Sequence, residues 1–287
     1  MKKKALFVLL GQSNAVGHIV PMAEEDKILV PMKNVFGLHR KDNQKLDLEK
    51  VIWSGYTSDG MNLGETQDHT WSLANCLAKY WQKAVDAGKD LPDLYIVQIA
   101  IGAHGVAPQF MWHPDREPVL IPGTLSKVNI SLYPFTMHIL SLVKESLGEF
   151  DQAYVHWRGG EQDMAAVFED PSIDLQSTYQ RMVNDLNKVL GDPTIVFHKI
   201  VAKDRMAEEP TGTKARIMAD INAIFECFTE TGNATIFDPR MYPGFDPNVM
   251  GEGIFQEDNI HFKAEVNQWV AKQIFHGYTA KYFQGAV

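Results

Sequence analysis

The chain has 287 residues, 45% of them hydrophobic and 22% charged, with a formal net charge of −9. Those proportions fit a globular protein with a sizeable core and exclude a disordered or fibrous chain, while the acidic balance disfavours nucleic acid or an anionic membrane as the main partner. No apolar run reaches the length of a membrane span, and the two cysteines, Cys76 and Cys227, lie in helix-like apolar patterns that suggest buried thiols rather than a disulfide.

Lys2-Lys3-Lys4 ahead of Ala5–Leu10 imitates a secretory signal, but six apolar residues are too few for a signal core. The run is read as a first buried strand, and residence in the cytoplasm is expected, with export left open. Gly11-Gln12-Ser13-Asn14-Ala15-Val16-Gly17 follows it directly. The polar, glycine-punctuated stretch from His39 to Thr70 predicts a long loop, of the kind that forms functional walls or lids. Trp71–Ala87 then has helical periodicity, and Leu94–Ile101 is a second apolar strand segment that runs into Ala100-Ile101-Gly102-Ala103-His104. Tyr133–Leu147 predicts a helix and Gln152–Trp157 a third strand, which ends in Trp157-Arg158-Gly159-Gly160-Glu161-Gln162-Asp163. Leu175–Leu190 and Thr213–Thr229 predict helices, and Thr194–Val201 and Thr235–Phe237 predict strands. A proline- and glycine-rich loop from Pro239 to Glu257 precedes Asp258-Asn259-Ile260-His261, and Lys263–Tyr282 is a helix again. Gly88, Gly148 and Gly191 stand where helices should stop, and Pro193 bars continuation after the last of these. Five short apolar segments alternating with helices predict an α/β fold: one domain over residues 1–287, a three-layer α/β/α sandwich around a five-stranded, mostly parallel sheet, flavodoxin-like in layout.

Ser13 behind the first strand and Asp258 and His261 near the last helix supply the parts of a serine hydrolase. A hydroxyl is a weak nucleophile at neutral pH and needs an imidazole to take its proton, with a carboxylate to fix the tautomer of that ring. The serine and histidine are about 250 positions apart, so only a fold that gathers distant strand ends can join them. Each residue also has a plainer reading. Ser13 and Asp258 are common helix-capping types, and Gly102 serves wherever backbones approach closely. Glu161 and Asp163 resemble the carboxylate pair of a glycosidase, but two residues apart they equally suit loop hydrogen-bond acceptors. Trp53, Trp112 and His113 fall in predicted loops, where their rings are candidates for stacking on sugars or for packing. Ten histidines without His-x-x-x-His spacing give no dedicated metal site. No dinucleotide fingerprint or P-loop occurs, and no cofactor is called for.

Taken together, the four blocks resemble the SGNH/GDSL hydrolases, and within them carbohydrate esterases of the sialate O-acetylesterase type. The resemblance implies Ser13 as nucleophile, His261 as base and Asp258 as its orienting carboxylate. It also implies an oxyanion hole from the amides of Ser13 and of Gly102 or Ala103, with Gln12, Asn14, His104, Arg158, Gly159 and Glu161 binding substrate or supporting the site. An acetylated carbohydrate, a sialic acid or another glycan, is the implied substrate. The sequence departs from the family pattern twice: Gly159 stands where the family has glutamine, and Ala103 replaces a second glycine. Arg158 or His104 is a candidate substitute donor, and Arg158 a candidate partner for the carboxylate of an acidic sugar. The competing readings are a glycan-binding module with an eroded oxyanion hole and a serine acyltransferase.

Overall fold

The computed structural model describes residues 3–18, 20–39, 49–65, 69–120, 129–201, 212–232, 234–246, 253–258 and 260–283. Strand β1, Lys4–Gly11, is apolar and buried from Ala5 onward. Leu6, Val8 and Leu10 enter one hydrophobic core and Ala5, Phe7 and Leu9 another. A strand that is apolar on both faces has to be covered on both, and β1 lies in the middle of the sheet. Its neighbours are β4, Asp93–Ala100, and β7, Gln152–Arg158, both parallel to it. Beyond β4 come β2, Val35–Leu38, and then β3, Trp53–Gly55; beyond β7 come β8, Thr194–His198, and β9, Ala234–Phe237. Two short strands, β5 at Val119–Leu120 and β6 at Asn129–Ile130, pair apart from this sheet.

The sheet therefore has seven strands rather than the expected five, and β3 pairs antiparallel with β2. The two additions are short. Val35–Leu38 is broken by Gly37, and Trp53–Gly55 sits inside the stretch read as a loop, so neither has the apolar run that marks the others. Strand β8 also stops at His198, three residues before the expected end. The remainder of the two long loops at 40–48, 66–68 and 247–252 lies outside the described residues.

Helices α3 (Leu132–Leu147), α4 (Glu161–Glu169), α5 (Leu175–Leu190) and α6 (Thr213–Glu230) cover one face of the sheet. The short α1 (Ser13–Val16), α2 (Leu73–Asp86) and α7 (Ala264–Phe283) cover the other. The ends follow local chemistry: Ser72 accepts the Asn75 amide at the start of α2, Asp174 accepts that of Ser177 at the start of α5, and Gly148 and Gly191 end α3 and α5 at positive φ. Helix α4 corrects the loop expected around Glu161 and Asp163. The cysteine expectation holds in half: Cys76 is buried, and burial pushes its thiol up to about 12, but Cys227 is exposed on α6. Among the described residues no helix is long and apolar enough to cross a membrane.

Register places the candidate residues. Gly11 pairs with Ala100 of β4 and with Arg158 of β7, so the three central strands finish level. Gly11 sits at φ 141, and a Cβ there would stand 2.0 Å from the Arg158 carbonyl oxygen; only glycine lets the strands close this tightly. The segments carrying Ser13, Gly102 and Glu161 consequently leave the sheet side by side at its carboxyl edge, where open α/β sheets hold their ligands.

Candidate active site

Ser13 is half-buried at the first position of α1. The helix lasts only to Val16 because Gly17 adopts a left-handed conformation, and the amides of Gly17 and His18 both donate to the Ser13 carbonyl at 3.0 Å. Asn14 points across to the distant segment that carries the histidine. Its Nδ2 donates to the Ile260 carbonyl at 3.2 Å, and its Oδ1 accepts the Phe262 amide at 3.1 Å. The residues on both sides of His261 are thus fastened to the residue next to Ser13. Gln256 adds a second tie, donating to the carbonyls of His18 and Phe262.

His261 and Asp258 form a closed local unit. Asp258 Oδ2 lies 2.5 Å from His261 Nδ1, while its Oδ1 accepts the amides of Ile260 and His261 at 3.0 and 2.9 Å. Burial raises the affinity of the Asp258 carboxyl for its proton, but the hydrogen bonds from the His261 amide and ring and from the Ile260 amide outweigh it and hold the group below its ordinary range. A charged carboxylate on Nδ1 leaves Nε2 as the ring's proton acceptor. The His261 side chain is 14% exposed, and its ring lies 4.9 Å from that of His18.

The two departures from the resemblance have visible geometry. A Cβ on Gly159 would stand 3.1 Å from Gln12 Cγ, 3.3 Å from Gln12 Nε2 and 3.2 Å from Trp157 Cζ2. Gln12 therefore lies over Gly159, in space that a longer residue there would need. Gln12 Oε1 is 3.4 Å from the Gln162 amide, and its Nε2 is buried with no hydrogen-bond partner among the described residues. Ala103 sits at φ 61, the left-handed region that its glycine counterpart would enter freely. His104 packs edge-on against Phe110 with Nδ1 buried and unpartnered among the described residues, and burial and Arg116 push its pKa down.

Arg158 is 2% exposed. Its Nη1 donates to the Asn14 carbonyl at 3.0 Å and to Asn267 Oδ1 at 2.8 Å, and its guanidinium lies 4.6 Å from the centre of the Phe262 ring. Burial pulls its pKa down to about 10 against the opposing pull of Glu161. The side chain clamps α1, α7 and the histidine segment together and has no surface left for a sugar carboxylate, which corrects that expectation. Glu161, on the first turn of α4, accepts from Asn14 at 3.0 Å. Asp163 is fully buried, accepts from the Ala107 amide and the Tyr179 hydroxyl, and so anchors the segment after β4. Both tryptophans resolve to packing, and one of them leaves the expected loop. Trp53 belongs to β3, where its edge meets Tyr95 and its Nε1 donates to Ser146. Trp112 is completely buried, edge-on to Trp157, with Nε1 donating to the Gly11 carbonyl. His113 is half-buried, and its Nδ1 accepts the Asp115 amide.

Gly102 lies beside the serine, since a Cβ on it would stand 3.8 Å from Ser13 Cβ. Its amide already donates, to Glu65 Oε2 at 2.7 Å, and Glu65 Oε1 lies 4.0 Å from His18 Nδ1. Neither Glu65 nor His18 carries a motif. The one sequence signal for Glu65 is its place in a long polar loop, and His18 follows the serine turn by a single residue.

No family profile matches the chain, and no curated protein does. Solved structures do. The protein NanS superposes over 98% of both chains with a TM-score of 0.58 at 14% identity. An Arabidopsis thaliana protein superposes over 98% of this chain and 100% of its own, with a TM-score of 0.56 at 14% identity. The chain shares its fold with both. The residues gathered at the carboxyl edge of the sheet come from four separate segments, and the hydrogen bonds of Asn14 join the first to the last.

Proposed function

We propose that the protein is a serine esterase that removes O-acetyl groups from a carbohydrate through an acyl-enzyme on Ser13. The observation that carries the reading is the Asn14 bridge, which brings an Asp258-bound imidazole to the turn holding the serine. In this mechanism Ser13 Oγ attacks the acetyl carbonyl carbon as its proton passes to His261 Nε2, and Asp258 stabilises the imidazolium. The tetrahedral intermediate collapses, the C–O bond to the sugar breaks, and the imidazolium returns its proton to the departing hydroxyl. Water then repeats the sequence on the acyl-enzyme and releases acetate. The oxyanion is received by the backbone amides of Ser13 and of Gly102 or Ala103, donors fixed by the strand ends. The carbohydrate and the acetyl group come from the four-block resemblance, since neither composition nor cavity shape reports the acyl chain.

The test is hydrolysis of a small activated acetyl ester together with labelling by a serine-directed phosphonate. Ser13→Ala should lower turnover by at least about 1,000-fold and abolish labelling. Unchanged hydrolysis, or a label on another residue, overturns the proposal.

A further inference from the structure

We infer that Glu65 makes this site select uncharged acetylated sugars over anionic ones, an inference that rests on the esterase reading and names its substrate class. Glu65 is delivered by a rigid approach. Asn62 Nδ2 donates to the Ala100 carbonyl at 3.0 Å, and its Oδ1 accepts the amides of Ala100 and Gly64 at 3.0 and 3.1 Å. The Leu63 amide donates to the Gln98 carbonyl, so Asn62–Gly64 runs along the end of β4. A Cβ on Gly64 would stand 2.4 Å from the Ala100 carbonyl oxygen, and only glycine admits the segment this close. The next residue, Glu65, then reaches the Gly102 amide, and its side chain remains 25% exposed to solvent at the serine turn.

A carboxylate oxygen bonded to that amide stands where an acyl oxygen would be received. Substrate has to displace it, but the tether through Gly64 and Asn62 keeps the charge beside the reacting carbonyl. Of the other acidic groups nearby, Asp258 is bonded to His261, and Glu161 is held by Asn14 through Oε1 in the field of Arg158, with its Oε2 buried away from solvent. Arg158 is enclosed and offers no compensating contact. A sugar bearing its own carboxylate therefore meets a like charge on entry, and a neutral sugar does not; like-charge juxtaposition is an effective means of rejecting a ligand.

The test compares kcat/KM for a matched pair, O-acetylated methyl glucoside and O-acetylated methyl glucuronoside. Wild type should prefer the neutral ester by about tenfold at low salt, and the preference should shrink as salt screens the charge. Glu65→Gln keeps the shape and the acceptor for the Gly102 amide and removes only the charge, so its two rates should approach parity. An unchanged ratio in Glu65→Gln, or a wild-type preference for the glucuronoside, overturns the inference while leaving the esterase reading intact. Binding of the same pair to Ser13→Ala and to Ser13→Ala/Glu65→Gln, measured by calorimetry, reads the selection without turnover. A charge-dependent affinity difference there supports the inference even if wild type hydrolyses neither ester, an outcome that counts against the esterase reading alone. Equal binding of the two sugars to Ser13→Ala, or binding of neither, sinks the inference.

Discussion

Asn14 uses every polar atom of its side chain on partners about 150 to 250 residues away: Glu161, Ile260 and Phe262. Its neighbour Ser13 is the proposed nucleophile, and Asn14 ties the turn that holds it to the distant segments. Replacing Asn14 with alanine strands a buried amide, a half-buried carbonyl and the half-buried Glu161 carboxylate. Each lost hydrogen bond to a buried group costs about 1–3 kcal/mol, so Asn14→Ala should lose roughly 3 kcal/mol of stability, read from urea melts. It should also slow phosphonate labelling of Ser13 by about 100-fold at temperatures well below melting, because a small misplacement of reacting groups costs that much. Labelling at the wild-type rate would show that the bridge holds the fold and not the site. Gln12 makes the complementary point. The glycine at 159, a departure from the pattern that the blocks resemble, leaves room that the Gln12 side chain fills next to the serine.

At the scale of elements, the segment after β4 is held by α4. Asp163 receives the amides of Ala107 and Val106 and the Tyr179 hydroxyl, yet burial outweighs these and lifts its carboxyl to about 7 from an ordinary 3.8. A carboxyl raised in the folded state favours folding most when it is protonated. Its contribution is complete below about pH 4 and is lost as pH rises through about 7. The stability difference between wild type and Asp163→Asn, from denaturant melts, should therefore be larger at pH 5 than at pH 8. A difference that grows with pH would mean that the hydrogen bonds dominate and the carboxylate is the native form.

The blocks at the ends of β1, β4 and β7 were legible in the sequence as polar, glycine-bearing motifs immediately after apolar runs. The helices were legible because their periodicity and glycine stops are local signals. The two extra strands were not, since Val35–Leu38 and Trp53–Gly55 exist through pairing with β4 and with each other rather than through their own pattern. Glu65 was invisible for the same reason. A lone glutamate in a polar loop has no signature until Asn62 docks on Ala100. For Trp112 the packing alternative holds, and Trp53 was misplaced only in being read as a loop residue, because its strand exists through pairing.

Across the whole molecule, a polar chain runs through the core on the α7 face of the sheet. His156 Nδ1 meets His198 Nε2 at 2.8 Å, and His156 Nε2 meets the Tyr278 hydroxyl of α7. Burial, with Arg158 nearby, pushes His156 down to about 3, and burial with His156 pushes His198 well below its ordinary value. A histidine lowered in the folded state stabilises the fold above its unfolded value near 6.5 and loses that contribution as pH falls toward about 3. This trend opposes that of Asp163, and two fully buried rings outweigh one carboxyl. Near-ultraviolet circular dichroism should show tertiary structure lost between about pH 6 and pH 3, and retention of the full signal at pH 3 would refute this account.

The Asn14 bridge also has a consequence for biosynthesis. A ribosome releases the amino-terminal turn early, and the chain can begin assembling β1, β4 and β7 while translation continues. The imidazole, however, is encoded about 250 codons after the hydroxyl, and its two flanking residues have nowhere to dock until they clear the exit tunnel. On the proposed esterase reading, the nascent polypeptide is thus inert toward esters until the segment around His261 has emerged and docked on Asn14.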